Sequence, residues 1–351
     1  MRVAVDVMGG DHAPDAILKG CVQALADLSL DDELILVGPR DLIEDYLTER
    51  DVTDRRVTIE HASDVIAMEE SPAKAVRQKP DSSIVKMSWL GSERSGRRAD
   101  AVLSAGNTGA CVSAAIMQMR RMPGCIRPGI AVTVPSFHGP VLMIDAGANP
   151  EPKPSHLAQY ALMGDTMART LLKIENPRVA VMNIGSEEAK GTGIIKETRD
   201  LVRSLPGINY VGFVEGRDFF EGVADVVVTD GLVGNTLLKS AEGLAKSMFK
   251  AIIAELMEVD VSLIPPMEEV IKRIYRKNDY HEHGGAPLLG VNGACFIAHG
   301  SSEPRAIRAA IRNVRAFVRA GVNEAIVRRL AEAPEFVGVG GGVGGAEQEQ
   351  P

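Results

Sequence analysis

Short apolar stretches that are typical of strands alternate with amphipathic stretches that are typical of helices along most of this chain. The strand-like stretches are residues 3–7, 33–37, 57–60, 101–104, 130–134, 141–144, 179–184, 210–214 and 226–229. The helix-like stretches are residues 16–28, 42–49, 73–78, 108–119, 155–172 and 235–256. This alternation predicts a layered α/β fold in which helices cover both faces of a mixed, largely parallel sheet. In such sheets, ligands bind beyond the carboxyl ends of the strands.

The last part of the chain departs from this alternation. Residues 284–300 predict two short strands around a turn at Asn292-Gly293, and residues 304–331 predict one long helix. Residues 336–351 are Gly-rich and polar, which is typical of a disordered tail. Because 45% of the 351 residues are hydrophobic, the chain can bury a large core, and we expect one catalytic domain over residues 1–335.

The composition excludes several classes of protein. A net charge of −8 argues against a general nucleic-acid-binding protein. The four cysteines are scattered without a CxxC spacing, and the pair His281 and His283 has no visible third ligand, so we expect neither disulfides nor a metal site. The chain starts with a strand-like stretch rather than a secretory signal, and no apolar run approaches the ~20 residues that cross a bilayer. We therefore expect a cytoplasmic protein.

A small-residue loop between a predicted strand and a predicted helix is the strongest functional signal in the chain. It reads Ser104-Ala-Gly106-Asn107-Thr108-Gly109. Such a loop directs several backbone N–H groups to one point at a helix N-terminus, where the helix dipole also favours an anion. The side chains of Ser104, Asn107 and Thr108 add hydrogen-bond donors. The pattern predicts a phosphate-binding site.

Three further loops rich in Gly, Asn and Asp follow other predicted strands, at residues 6–11, 183–191 and 230–235. Each is also compatible with an ordinary strand-to-helix connection. Their candidate binding or catalytic residues are Asp6, Gly9, Gly10, Asp11, Asn183, Gly185, Lys190, Asp230, Gly234 and Asn235. We expect these loops to form one composite site together with residues 104–109.

A basic helix with a polar turn is predicted at residues 71–83, where Lys79 and Ser82 are candidates for phosphate binding. A solvated helix face explains these residues equally well. His299 precedes Gly300-Ser-Ser302 and is either a catalytic or a structural histidine.

Residues 256–277 predict an amphipathic helical protrusion with basic residues beside its apolar face. A protrusion of this kind can lie on an anionic membrane surface through Leu263, Ile264, Ile271 and Ile274. A helix pair at a dimer interface is the alternative interpretation.

Arginines recur every three or four positions along the predicted final helix, at Arg305, Arg308, Arg312 and Arg315. Such a stripe is either a solvated face or a docking surface for an acidic partner.

In this order, the loops resemble those of the PlsX family, the acyl-acyl-carrier-protein (acyl-ACP):phosphate acyltransferases of bacterial phospholipid synthesis. The resemblance extends from about residue 1 to about residue 330, and it rests on residues 6–11, 70–83, 104–109, 183–191, 230–235, 284–290 and 299–302. Two departures are small: Val7 stands where the family usually has alanine, and His283 where tyrosine is common.

The resemblance implies an isocitrate/isopropylmalate-dehydrogenase-like fold that is shared with phosphotransacetylases, and a homodimer. It implies that acyl-ACP and inorganic phosphate react to acyl phosphate and free ACP, without a cofactor. The product would serve a membrane glycerol-3-phosphate acyltransferase, and the protein would be cytoplasmic and peripherally membrane-associated. The arginine stripe would then dock the acidic carrier protein.

Under this reading, residues 104–109 bind phosphate, which acts as the nucleophile. Lys190 activates phosphate or stabilises the oxyanion, Asn235 supports it, and Asp230 positions Lys190 or His299. Two alternatives remain: a phosphotransacetylase that acts on short-chain acyl-CoA, and a non-catalytic scaffold for lipid synthesis.

Overall fold

The computed structural model describes residues 1–136, 138–259, 262, 264–277 and 284–333, without the side chains of residues 271, 272 and 274–277. The strands are β1 (Arg2–Asp6), β2 (Glu33–Gly38), β3 (Val57–His61), β4 (Ala101–Ser104), β5 (Gly129–Val134), β6 (Val141–Ile144), β7 (Arg178–Met182), β8 (Asn209–Val214), β9 (Val226–Val228), β10 (Ala286–Leu289) and β11 (Ala294–Ile297). The helices are α1 (Asp15–Ala24), α2 (Arg40–Thr48), α3 (Pro72–Gln78), α4 (Ser83–Leu90), α5 (Thr108–Gln118), α6 (Pro154–Thr170), α7 (Gly193–Ser204), α8 (Gly231–Val259), α9 (Ile264–Lys277), α10 (Pro304–Ala320) and α11 (Val322–Glu332).

All the described strands join one mixed sheet in the order β3-β2-β1-β4-β11-β10-β5-β6-β9-β7-β8. The first five strands in this order are parallel to one another, and so are the last four. Between these halves, β10 is antiparallel to both β11 and β5, and β5 is antiparallel to β6. Consequently β6, β9 and β7 run opposite to β1, β4 and β11, so the strand direction reverses between the two parallel halves of the sheet.

Helices cover both faces of the sheet, because side chains in each strand alternate between two apolar layers. The layer that contains Val3 and Val5 packs against α1, α6, α10 and α11. The layer that contains Ala4 packs against α3, α4, α5 and the start of α8. None of the helices in the described ranges is both long and apolar enough to cross a bilayer.

The sequence prediction of a layered α/β fold with a mixed, largely parallel sheet is confirmed, and every predicted strand is present. The prediction omitted α4 and α7. Both start with β-branched residues beside Ser or Gly (Ser83-Ile-Val and Gly193-Ile-Ile), a local composition that also suits turns and strands. The single helix expected over 304–331 is divided at Gly321, whose φ of 66° is left-handed and ends α10. The tail predicted at 336–351 and the pair at 281 and 283 lie outside the described residues.

Gly20 allows α1 to approach α10 closely. A Cβ atom at this position would lie 2.6 Å from Cβ of Ile307 and 2.7 Å from the carbonyl oxygen of Pro304. Both neighbours belong to a packed helix, so neither can withdraw without disturbing the core.

We therefore expect Gly20→Ala to lower the free energy of unfolding by about 1–3 kcal/mol, because overpacking outweighs the gain in helix propensity. Gly243→Ala is a matched control: this glycine is exposed in α8, and a Cβ atom there would meet no atom within 4 Å. The control should gain about 0.4–1 kcal/mol. Urea denaturation of the three proteins measures both changes, and equal stabilities for the two variants would contradict the close approach of α1 and α10.

Candidate functional site

Three loops meet at the carboxyl ends of β1, β4 and β11, and residues 6–11, 104–109 and 298–302 are called the first loop cluster here. Asp6 ends β1 and is fully buried; its carboxylate accepts hydrogen bonds from Ser104 Oγ (2.7 Å) and from the Met8 N–H (3.0 Å). Ser104 Oγ in turn accepts from the Gly106 N–H at 3.0 Å. Burial raises the pKa of Asp6, whereas these hydrogen bonds lower it. Asp6 and Ser104 therefore join the ends of β1 and β4 below the surface, and their role in ligand binding stays a prediction.

Glycines let the three loops touch through their backbones. A Cβ atom on Gly9 would lie 2.6 Å from the backbone nitrogen of Gly106. Gly10 has a φ of 117°, which side chains rarely tolerate, and the next residue, Asp11, donates its N–H to the carbonyl of Gly300 at 2.7 Å. The glycines at 9 and 10 thus act as spacers that hold the first loop cluster together.

Asn107 is the N-cap residue of α5. Its Oδ1 accepts from the Ala110 N–H at 3.0 Å, and its Nδ2 donates to the carbonyls of Met68 (2.9 Å) and Glu70 (3.2 Å). The side chain predicted to bind phosphate is therefore engaged in holding the neighbouring segment. Helix geometry leaves the N–H groups of Thr108 and Gly109 without intrahelical acceptors, and the Thr108 side chain is exposed. N–H groups of this kind suit an anion, so phosphate binding at the start of α5 stays a prediction.

Lys79 and Ser82, the predicted phosphate-binding residues before α4, differ in their side-chain contacts. Lys79 Nζ lies 2.6 Å from Glu70 Oε1 and 2.8 Å from the carbonyl oxygen of Val65. Ser82 is fully buried before α4, and its Oγ has no hydrogen-bond partner among the described residues. In this structure Lys79 anchors the segment that Asn107 also holds.

His299 lies at the end of β11 within a group of polar side chains from two elements. Its Nε2 contacts Lys239 Nζ, and its Nδ1 lies 2.8 Å from Ser301 Oγ. Lys239 Nζ also lies 3.0 Å from Glu242 Oε2. Burial lowers the pKa of His299 and the cation of Lys239 lowers it further, while Glu242 acts in the opposite direction. Burial and the neighbouring cation therefore both favour the uncharged form of the imidazole.

The sequence indicated a candidate role for His299 but none for Lys239 or Glu242. Their helical spacing could have indicated one, because Asn235, Lys239 and Glu242 are four and three residues apart and so share one face of a helix.

A second loop cluster lies at the carboxyl ends of β6, β7 and β9 and comprises residues 145–149, 183–191 and 230–235. Its centre is Asp145, which is fully buried and accepts backbone N–H groups from Ile130, Gly147, Ala148 and Asn149 at 2.6–3.1 Å. The start of α8 packs against this loop so tightly that a Cβ atom on Gly234 would lie 2.0 Å from the Asp145 carbonyl oxygen. Gly234 is required for packing here.

In the second loop cluster, the side chains of the predicted catalytic and binding residues contact groups within seven residues of them along the chain. Lys190 is half exposed, and its Nζ lies 2.7 Å from Glu187 Oε1. Asn183 Nδ2 donates to the carbonyls of Gly185 (3.0 Å) and Lys190 (3.3 Å), which shapes the loop. Asp230 caps α8 by accepting the Val233 N–H at 2.8 Å. Asn235, in the first turns of α8, is exposed.

The single composite site expected from the sequence stays a prediction. β4 and β9 run in opposite strand directions, so the two loop clusters start from strands of opposite direction. The helix α8 connects the two loop clusters: it begins beside Asp145, and eight residues later, a rise of ~12 Å, Lys239 contacts His299. Asn235 precedes Lys239 by about one turn, so it faces the space between the clusters.

The arginine stripe on α10 packs along the segment that follows α1. Arg308 pairs bidentately with Asp27 at 2.6 and 2.9 Å, and Arg315 donates to the Asp27 carbonyl at 2.7 Å. Arg305 and Arg312 also interact within the protein. The stripe thus attaches α10 to its neighbour, and its role in docking a carrier protein stays a prediction.

The predicted protrusion corresponds to the end of α8 and to α9. Leu263 lies outside the described residues, as do the side chains of Ile271 and Ile274, while Ile264 begins α9 half-buried. Upstream on α8, Leu244, Met248 and Ile252 are exposed at intervals of four residues. The structure therefore adds an exposed apolar stripe that the sequence analysis did not identify.

The fold is a layered α/β fold similar to that of solved phosphotransacetylases. EutD phosphotransacetylase from Staphylococcus aureus has a TM-score of 0.55 and 15% identity to this chain, covering 92% of this chain and 94% of its own. A branched-chain phosphotransacylase from Enterococcus faecalis has a TM-score of 0.55 and 14% identity, covering 91% and 99%. At such identities the likeness establishes the fold alone.

The sequence relatives are much more similar. A family model described as "Fatty acid synthesis protein" matches residues 1–325. A phosphate acyltransferase from Desulfitobacterium hafniense is 44% identical over 333 residues, which are 94% of this chain and 98% of the relative. One from Heliobacterium modesticaldum is 44% identical over 335 residues, covering 95% and 97%. The chain belongs to this fatty acid synthesis protein family, the PlsX family indicated by its ordered loops, and it is a transferase enzyme.

The contact between Lys239 and His299 predicts a change in titration. In Lys239→Met the imidazole stays buried but loses the neighbouring cation, so the pKa of His299 should rise toward its ordinary value. Histidine ring signals in NMR spectra, assigned by their absence in His299→Asn, measure this shift. Lys250→Met, on an exposed part of the same helix, is the control and should leave the titration unchanged. An unchanged titration in Lys239→Met would contradict the contact.

Proposed function

We propose that the protein transfers the acyl group of an acyl-ACP thioester to inorganic phosphate, forming acyl phosphate and free ACP for glycerol-3-phosphate acylation. The observation that supports this proposal is the first loop cluster, in which the capped start of α5 and the contact between His299 and Lys239 belong to adjoining loops. Membership of the fatty acid synthesis family supports the acyl donor, and the names of the relatives support phosphate as acceptor.

Phosphate binds at the N–H groups of Thr108 and Gly109 and at the Thr108 hydroxyl. An oxygen of the HPO₄²⁻ dianion attacks the thioester carbonyl carbon, and the C–S bond then breaks. Overall the phosphate proton moves to the sulfur of the leaving carrier, since acyl-SR and HPO₄²⁻ give acyl phosphate and HSR. A neutral His299 can carry this proton, because it is uncharged before the reaction and charged only during it.

The negative charge that develops on the carbonyl oxygen needs cations or N–H donors nearby. Lys239 lies beside His299, and Asn235 lies about one turn away on the same face of α8. We assign Lys239 and Asn235 to this oxyanion. Asp230 then acts indirectly, by capping the helix that presents them.

Lys190 is retained as an electrostatic catalyst that acts on the phosphate bound at α5. It lies with the second loop cluster, which α8 connects to His299 of the first. We also propose that the protein is a homodimer.

The exposed stripe Leu244, Met248 and Ile252 is our candidate for the dimer contact or for peripheral membrane binding. Sedimentation with anionic vesicles and gel filtration of Met248→Glu distinguish the two. Loss of vesicle binding alone identifies a membrane surface, and dissociation alone identifies a dimer contact. A variant that keeps both properties would refute both roles.

Release of free ACP thiol from palmitoyl-ACP, measured with and without inorganic phosphate, tests the proposed reaction. The wild-type protein should release thiol only with phosphate. Equal activity on acetyl-CoA would favour a short-chain phosphotransacetylase, and no release with any thioester would favour a scaffold.

In the same assay, Lys190→Ala should lower turnover by about 10²–10³, a loss comparable to that of one well-placed charge-stabilising donor. Glu187→Gln is the matched control: it removes the ion-pair partner of Lys190 without removing the ammonium group, so it should retain most of the turnover. Near-normal turnover of a folded Lys190→Ala protein would refute the role of this lysine.

A further inference from the structure

A cavity of about 480 Å³ adjoins the first loop cluster. His299 and Ser301 form part of its wall, and beyond them the lining is mostly apolar. The described residues that line it come from α6, α8, α10 and the facing ends of β5, β10 and β11. Its size falls in the range of ordinary small-molecule sites, which are apolar with a few polar groups at one end.

The cavity exists because the sheet is open between β10 and β5. The first half of β10 pairs with β11, through Ala286 and Pro287, and its second half pairs with β5, through Leu288↔Ile130 and Leu289↔Gly129. Past Ile130, β5 continues to Val134, but its described pairs there are with β6 only. The two separated segments, residues 131–135 and residues 284–287, both line the cavity.

This opening joins the two faces of the sheet. On one face the lining residues include Leu238 and Ala241 of α8, and on the other Met167 of α6 and Phe317 of α10. Met167 and Phe317 belong to one apolar layer and Leu238 to the other. The cavity is thus a passage through the sheet that begins at His299.

We infer that this passage holds the hydrocarbon chain of a long-chain acyl thioester, with the carbonyl group at His299 and Lys239. The inference rests on the proposed function and adds the location of the chain: it runs along α8, crosses the sheet between Thr133 and Pro287, and ends near Met167 and Phe317. A short acyl group would leave most of the passage unfilled. Each methylene that the passage buries should strengthen binding about fourfold.

The substitution Ala241→Trp tests the location of the chain, because Ala241 is half-buried in the wall near the entrance. Ala251→Trp is the matched control on the same helix, at an exposed position outside the lining. The assay compares kcat/KM for hexadecanoyl-ACP and butanoyl-ACP. We expect Ala241→Trp to lower the hexadecanoyl-to-butanoyl ratio at least tenfold and Ala251→Trp to leave it unchanged. An unchanged ratio in Ala241→Trp, or an equal loss with both substrates, would overturn the inference.

Direct binding separates this inference from the proposed reaction. The fluorescence of cis-parinaric acid, a long-chain fatty acid, should rise on binding to the wild-type protein and to Ala251→Trp, but much less with Ala241→Trp. If this pattern is found without phosphate-dependent turnover, the passage stands and the proposed reaction fails. If phosphate-dependent turnover is found but Ala241→Trp binds the probe like the wild type, the reaction stands and the passage fails.

Discussion

The reversal of strand direction across β10 and β5 is the constraint on which the rest of this structure depends. Three successive antiparallel pairs, β11–β10, β10–β5 and β5–β6, make the two parallel halves of the sheet run in opposite directions. Each half has its own loop cluster: residues 104–109 and His299 belong to the first, and Lys190 belongs to the second. The described pairing of β10 with β5 is limited to two residue pairs, and the passage lies where this pairing stops.

Helix α8 connects the two loop clusters. It starts at the second loop cluster, where Gly231 donates to the Asn149 carbonyl at 2.8 Å, and it delivers Lys239 to His299 at the first. The tight packing of Gly234 against Asp145 fixes where the helix begins, and the helical repeat then fixes where Lys239 lies. The position of a proposed oxyanion group is thus determined by packing against the backbone of Asp145 in the second loop cluster.

Much of this fold could be predicted from the sequence, because apolar periodicity and glycine-rich strand ends are local signals. The strands, the helix start at Thr108 and the family all followed from them. The direction of each sheet half could not be predicted, because strand pairing joins residues distant in sequence. The expectation of one composite site stays a prediction for that reason.

Side-chain roles were also only partly predictable. The residue types at Asp6, Ser104 and Asn107 are those of a ligand site, yet each is used here to hold loops together. Arg308 similarly shows the pattern of a docking stripe while it pairs with Asp27, a partner that only the packing of α10 on α1 brings near. A polar side chain beside a ligand loop can therefore serve the loop rather than the ligand.

The central claim is that phosphate binds at the start of α5 within the first loop cluster. Titration of the ¹⁵N-labelled protein with inorganic phosphate, followed through backbone amide shifts, tests it most directly. The account predicts saturable shifts at Gly106, Thr108 and Gly109. Saturable shifts confined to Gly185 and Lys190, with residues 104–109 unaffected, would contradict it.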